Sequence, residues 1–163
     1  MKSPTSNVAK IPAIICDLDG TLCNDDFRRE TIKDIVGLGA WTEAEYTRYY
    51  ELMHTDIPFD HVKEILHRFE HDHKIFFVTG RPERFRGQTI SWIKTHTNLK
   101  NDPIMYMRPD RDFRHDIIIK TEIYEKWIKP DYDVVFVLED RTRVVKMWRD
   151  LGLYCLQVQQ SDF

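Results

Sequence analysis

The sequence predicts an α/β fold: a doubly wound, Rossmann-like, mainly parallel five-stranded sheet with a small helical cap inserted after the first strand. Three observations predict it. Five short apolar, β-branched or aromatic runs are too apolar to alternate, as strands covered on both faces are. Amphipathic helical stretches lie between several of them, which makes βαβ units with right-handed crossovers. The first run is followed by a segment with helical patterns of its own, which breaks the rhythm. A chain of 163 residues, 42% hydrophobic and 31% charged, suits one core with little room for a second.

Residues 1–12 are expected to form a flexible leading segment and 13–163 a single domain. "AIIC" at 13–16 reads as the first strand. The stretch 24–58, with "RRETIKDIVGLG" and "TEAEYTRYYELM", reads as a cap over the sheet edge, the alternative being packing helices with no part in substrate access. "FDHVKEILHRFEHD" then places Phe59, Val62, Ile65, Leu66 and Phe69 on one helical face. Strands follow at "IFFVT" (75–79), "IMYM" (104–107) and "VVFVL" (134–138). "RTRVVKMWRDLG" gathers Val144, Val145, Met147, Trp148 and Leu151 before a helix-ending Gly152, and "YCLQV" (154–158) closes the sheet.

A formal net charge of -3 excludes a protein that coats nucleic acid through its overall field, so any polyanion contact must be local. Cys16, Cys23 and Cys155 form no CxxC pair and are odd in number, which predicts buried thiols in a reducing compartment. The opening has no apolar leader and no run approaches a membrane span, so the expected location is cytoplasmic, the host cytoplasm for a phage-encoded chain.

The chemistry begins at "DLDGT". Asp17 and Asp19 end the first strand, where α/β folds place their ligands, and Gly20 and Thr21 permit a tight turn. Two carboxylates so close repel each other, and a cation such as Mg²⁺ stabilises them while holding phosphate oxygens. Glu139 and Asp140, after the fourth strand, are positioned to close that metal site. Thr79 and the amides after it, beginning at Gly80, suit a phosphate oxygen, and Lys120 adds positive charge. The natural reaction is covalent: Asp17 attacks phosphorus, an aspartyl-phosphate forms, and water releases phosphate, with Asp19 as acid and then base. No organic cofactor is needed.

"DLDGTL", "VTGR", Lys120 and "LEDR" in this order resemble the four motifs of the haloacid dehalogenase (HAD) superfamily of phosphohydrolases. An acid two residues after the nucleophile places the chain with that superfamily's phosphatases and phosphomutases. From 13 to 163, and most closely from "HDIIIK" to the terminal D-F, the chain is similar to the phosphatase half of the polynucleotide kinase/phosphatases of T-even phages. No G-x-x-x-x-G-K-[ST] loop is present, so no kinase half is expected. The resemblance implies Asp17 as nucleophile, Asp19 as acid/base, Thr79 and Lys120 as phosphate ligands, and Asp140 as metal ligand. It further implies Arg28 and Arg81 as phosphate contacts and Asp116 as the acid that orients Lys120. Two departures stand out: Glu139 replaces an aspartate, which favours a water-mediated metal contact, and residues 22–58 are longer than their counterpart.

"RPERFR" at 81–86 and "RPDRDFR" at 108–114 are both expected on the catalytic face. Their arginines, Arg84 among them, with Arg28 and Arg29 would contact the phosphodiester beside the terminal phosphate, and Phe85 or Phe113 would stack on a base. The alternative is a solvated, salt-bridged rim. "HRFEHDH" reads as a helix end rather than a zinc site, and the four tryptophans as core or subunit contacts. The function expected is a Mg²⁺-dependent polynucleotide 3'-phosphatase of nucleic-acid repair acting on DNA or RNA ends. The alternatives are a 5'(3')-nucleotidase and a non-catalytic end-binding scaffold, the latter having no need of both aspartates. A homo-oligomer and a kinase or ligase partner are compatible with the resemblance.

Overall fold

In a computed structural model of the chain, residues 9–37 and 39–161 are described. Strands β1 (Ile11–Cys16), β4 (Lys74–Pro82), β5 (Ile104–Arg108), β6 (Tyr132–Arg141) and β7 (Cys155–Ser161) form one sheet in the order β5-β4-β1-β6-β7. Every pairing in it is parallel. The order of strands reverses at β1, so the crevice beyond its C-terminal end is where a ligand is expected.

Alternate β1 side chains enter opposite layers, as the two-residue strand period requires. Ala13 and Ile15 join the core under α5 (Asp116–Ile123) and α6 (Thr142–Asp150), with Phe76, Val137 and the fully buried Trp148. Ile14 and Cys16 join the core under α3 (Asp60–Phe69) and α4 (Arg86–Thr97), with Phe77, Leu66 and Trp92. Both faces of the sheet are thus dry, which is why the strands read as continuous apolar runs.

The insertion after β1 is pinched at its neck by a two-residue antiparallel ladder, β2 (Cys23–Asn24) against β3 (Ile57–Pro58). Between them lie α1 (Asp26–Val36) and α2 (Glu43–Glu51), the latter started by a capping box in which Thr42 and Glu45 satisfy each other's backbone donors. Three expectations change. Ile11 and Pro12 belong to β1 rather than to a flexible leader, because they pair with Tyr132 and Asp133; residues 1–8 lie outside the described residues, as does the terminal D-F at 162–163. β4 and β6 run on past 79 and 138, to Pro82 and Arg141, carrying polar residues that the apolar pattern could not reveal. Phe85 is buried, in contact with Tyr50, and is not available to a base.

Candidate active site

The turn after β1 is built by backbone. The carbonyl of Leu18 accepts from the amides of Thr21, Leu22 and Cys23, and Gly20 takes φ +81°. A Cβ on Gly20 would lie 2.4 Å from Asp140 Oδ2, so glycine is required by close approach as well as by conformation. Gly20→Ala is therefore expected to destabilise the fold by about 1–3 kcal/mol, and to weaken binding of a divalent cation by displacing Asp140. Thermal unfolding with and without Mg²⁺ measures both.

This turn places Asp17 beside residues from two other elements, α5 and β6. Lys120 Nζ, on α5, donates to Asp17 Oδ1 and to Glu139 Oε2, each at 2.7 Å, and all three groups are buried. Glu139 Oε1 also accepts the amides of Asp140 and Arg141 at 3.2 Å. Asp140 accepts from Thr21 Oγ1 at 2.9 Å and from Ser161 Oγ. The carboxylates of Asp17, Glu139 and Asp140 each bring an oxygen within 4.8 Å of the others. Burial, aided by Glu139 and opposed by Lys120, pushes the Asp17 carboxyl up to about 7. Burial and neighbouring carboxylates likewise raise Glu139 and Asp140. Burial opposes the charge on Lys120, but Asp17 and Glu139 outweigh it and raise its pKa.

The donor set fits a hard divalent cation. It offers oxygens only, and three carboxylates share the one ammonium among them, a surplus of acid that suits a cation. Asp17 and Asp140 have oxygens free of the lysine, whereas Glu139 is committed to Lys120 and two amides. The Asp19 carboxylate lies outside this group, in a second cluster with Cys23 and Asp56. There its Oδ1 accepts from Arg28 Nη2 and Arg81 Nη2, each at 2.5 Å. Burial would raise the Asp19 carboxyl, but the two guanidiniums hold it far below the ordinary carboxylate range.

Two roles taken from the resemblance meet different partners here. Arg28 and Arg81, expected on phosphate, are both fully buried and hydrogen-bonded to Asp19. Asp116, expected to orient Lys120, instead pairs with Arg141, with Arg143 at 3.6 Å. One helical turn separates Asp116 from Lys120, but the lysine head is drawn inward to two acids.

A cleft of about 1050 Å³ opens over these groups. Asp17, Asp19, Thr79, Gly80, Lys120, Glu139 and Asp140 form its floor, while Trp41, Tyr46, Tyr49 and Tyr50 of the insertion and Arg84, Arg108, Arg111, Phe113 and Arg114 form its walls. The rim is largely ion-paired: Arg84 with Asp110, and Arg114 with Asp112 and Glu122. Phe113 is 77% exposed and remains available for stacking. Trp92 and Trp148 are core residues, Trp41 faces the cleft and Trp127 is half exposed. Among the described residues no histidine joins a metal-competent group. Asp56 and Tyr49, which bond to Arg28 and Asp25, carried no motif by which the sequence alone could single them out.

Comparisons with known proteins identify the family. The family described as "Polynucleotide kinase PNKP phosphatase domain" matches residues 11–163. A protein of Autographa californica nuclear polyhedrosis virus, named as a bifunctional polynucleotide kinase/RNA ligase, is 28% identical over 147 residues, covering 86% of this chain and 18% of the relative. A chain in the structure of the Pnkp1/Rnl/Hen1 complex superposes with a TM-score of 0.74 at 28% identity, over 100% of this chain and 53% of that one. The class C acid phosphatase of Bacillus anthracis shares the fold, with TM-score 0.61 at 14% identity over 90% of this chain and 63% of that one. This chain thus spans about half the length of the first structure and under a fifth of the viral relative. With the fold, the acid cluster and a match over nearly its whole length, the chain belongs to the PNKP phosphatase-domain family of HAD-type phosphomonoester hydrolases.

Proposed function

We propose that the chain removes a terminal phosphomonoester from polynucleotide 3' ends, DNA or RNA, in nucleic-acid repair. The observation that carries this reading is the buried group of Asp17, Lys120, Glu139 and Asp140 at the floor of a cleft walled by arginines and aromatic rings. Asp17 and Asp140, with Glu139 through water, would hold Mg²⁺, which supplies charge neutralisation to the transferring phosphoryl group.

The chain's own residues do the rest. An Asp17 oxygen attacks phosphorus and the bond to the 3' oxygen breaks. That oxygen keeps the electron pair and takes a proton from Asp19. Water then attacks phosphorus, its proton passes to Asp19, and the Asp17–phosphorus bond returns its pair to the carboxylate. Since Arg28 and Arg81 both bond the Asp19 carboxylate and favour its ionised form, the proton it first donates comes from the substrate's phosphate monoanion, and the one it takes from water leaves with the product phosphate. Lys120 holds Asp17 in place and offsets equatorial charge, and Thr79 and the Gly80 amide receive a phosphate oxygen. Residues 24–58 act as a cap, and Arg84, Arg108 and Phe113 meet the adjoining nucleotide. The names of the relatives support a ligase or kinase acting alongside this domain.

Turnover of a 3'-phosphorylated oligonucleotide against the matching mononucleotide, with Mg²⁺ at several salt concentrations, tests the reading. The oligonucleotide is expected to bind more tightly, and its affinity to fall with salt at about 0.7 in log-log slope per phosphate contacted. Equal, salt-insensitive use of both substrates would instead favour a nucleotidase. Binding of phosphorylated ends with no turnover would favour a scaffold.

A further inference from the structure

The neck of the insertion carries a buried carboxylate that the reaction does not touch. Asp56 is 3% exposed and accepts a two-pronged bond from Arg28, Nε to Oδ1 and Nη2 to Oδ2, both at 2.6 Å. Its Oδ2 is also 3.4 Å from Arg81 Nη2. Its own backbone is pinned, with the carbonyl accepting from Trp92 Nε1 at 3.0 Å and the amide donating to Met53 O at 3.2 Å. Arg28 has no free face: the Tyr49 ring lies 4.2 Å from its guanidinium carbon and Nη1 donates to the Tyr49 carbonyl. Arg81 is likewise enclosed, against Met53, Thr89 and Cys23. Two guanidiniums face two carboxylates, so charge balances inside the cluster with none left over for a phosphate.

We propose that Asp56 is a positioning residue: it commits Arg28 and Arg81 to Asp19, so both arginines aim the acid/base rather than bind the phosphate. The inference rests on the reading of Asp19 as acid and base. Planar guanidinium suits the task because one fork grips Asp56 while its remaining hydrogens reach Asp19. Without Asp56, Arg28 loses its lock and the cluster carries an uncompensated positive charge, so Asp19 is held in the wrong place. The neck ladder at Cys23–Asn24 and Ile57–Pro58 sits directly beside these residues, so seating of the insertion and aim of Asp19 are one event.

The test compares Asp56→Asn with wild type and Asp19→Asn on a nucleoside 3'-phosphate, whose leaving oxygen needs a proton, and on p-nitrophenyl phosphate, whose leaving group does not. For Asp56→Asn, kcat on the nucleoside 3'-phosphate is expected to fall about 100-fold, with KM and inhibition by inorganic phosphate within about threefold of wild type. On p-nitrophenyl phosphate the first step survives and hydrolysis slows, giving a burst of about one equivalent of nitrophenolate per chain. A partly unfolded enzyme would lose both substrates equally and show no such burst. Should Asp56→Asn fail to fold, Arg28→Lys, which keeps the charge and loses the fork, carries the same expectation. Raised KM with weakened phosphate inhibition would make the arginines phosphate ligands and overturn the proposal. So would equal losses of the first step on both substrates in an Asp56→Asn variant that unfolds at the wild-type urea midpoint, while Asp19→Asn shows the leaving-group dependence. An Asp19→Asn variant with wild-type kcat would remove the acid–base reading itself, and Asp56's role with it.

Discussion

Asp17→Asn is expected to reduce turnover by about 10⁴-fold or more, because in the proposed covalent mechanism it removes the nucleophile rather than an assistant to it. The substitution is nearly isosteric, and Lys120 keeps its second partner at Glu139, 2.7 Å away, so the site should remain assembled and still bind phosphate. Brief exposure of wild type to a ³²P-labelled 3'-phosphate should yield a labelled protein that hydroxylamine cleaves, as expected of an acyl phosphate. Asp17→Asn should yield none. A variant that retained wild-type release of phosphate would refute the covalent mechanism.

Lys120→Met is expected to damage both activity and stability. Its ammonium is the direct cationic partner of Asp17 and Glu139, all of them buried. Removing it leaves two carboxylates facing each other without compensation, which by analogy with other buried pairs costs about 3–5 kcal/mol. The loss of charge near the transferring phosphoryl group should lower kcat by about 10²–10³. Two further outcomes tie the loss to electrostatics. Mg²⁺ should recover part of the stability by binding the exposed acids. Adding Glu139→Gln to Lys120→Met should recover part of it too, by removing one of the orphaned charges. Urea unfolding midpoints measure these effects; a double variant no more stable than the single one would count against the electrostatic account.

How much could be read beforehand differs by residue and by cause. Asp17 and Asp140 announced themselves at strand ends and Lys120 on the helix that follows β5, because a motif on a short rigid segment carries its own geometry. Arg28 and Arg81 were also visible, but their partner was not. The phosphate expected for them and the Asp19 carboxylate found are both anions that a guanidinium can bond, and the packing of Asp56, Tyr49 and Met53 turns both arginines to the carboxylate. Asp116 shows the same ambiguity: helical spacing allows it to meet Lys120, and the opposite charges of Asp17 and Glu139 draw the lysine elsewhere. Phe85 and Phe113 sit in similar phrases, "RPERFR" and "RPDRDFR", yet one packs against Tyr50 and the other stands in solvent.

The parallel sheet, the place of the crevice and the acids that stand in it were legible in the order of residues, because strand burial and the turn after β1 are properties of contiguous residues. Only the packed chain settles which charge meets which, how far the strands run past their apolar cores, and that Arg28 of the insertion and Arg81 of β4 both bond Asp19. Those outcomes depend on side chains brought together from 9 to 119 positions apart, such as Arg28 with Asp19 and Thr21 with Asp140, and on the desolvation that makes one buried partner exclude another.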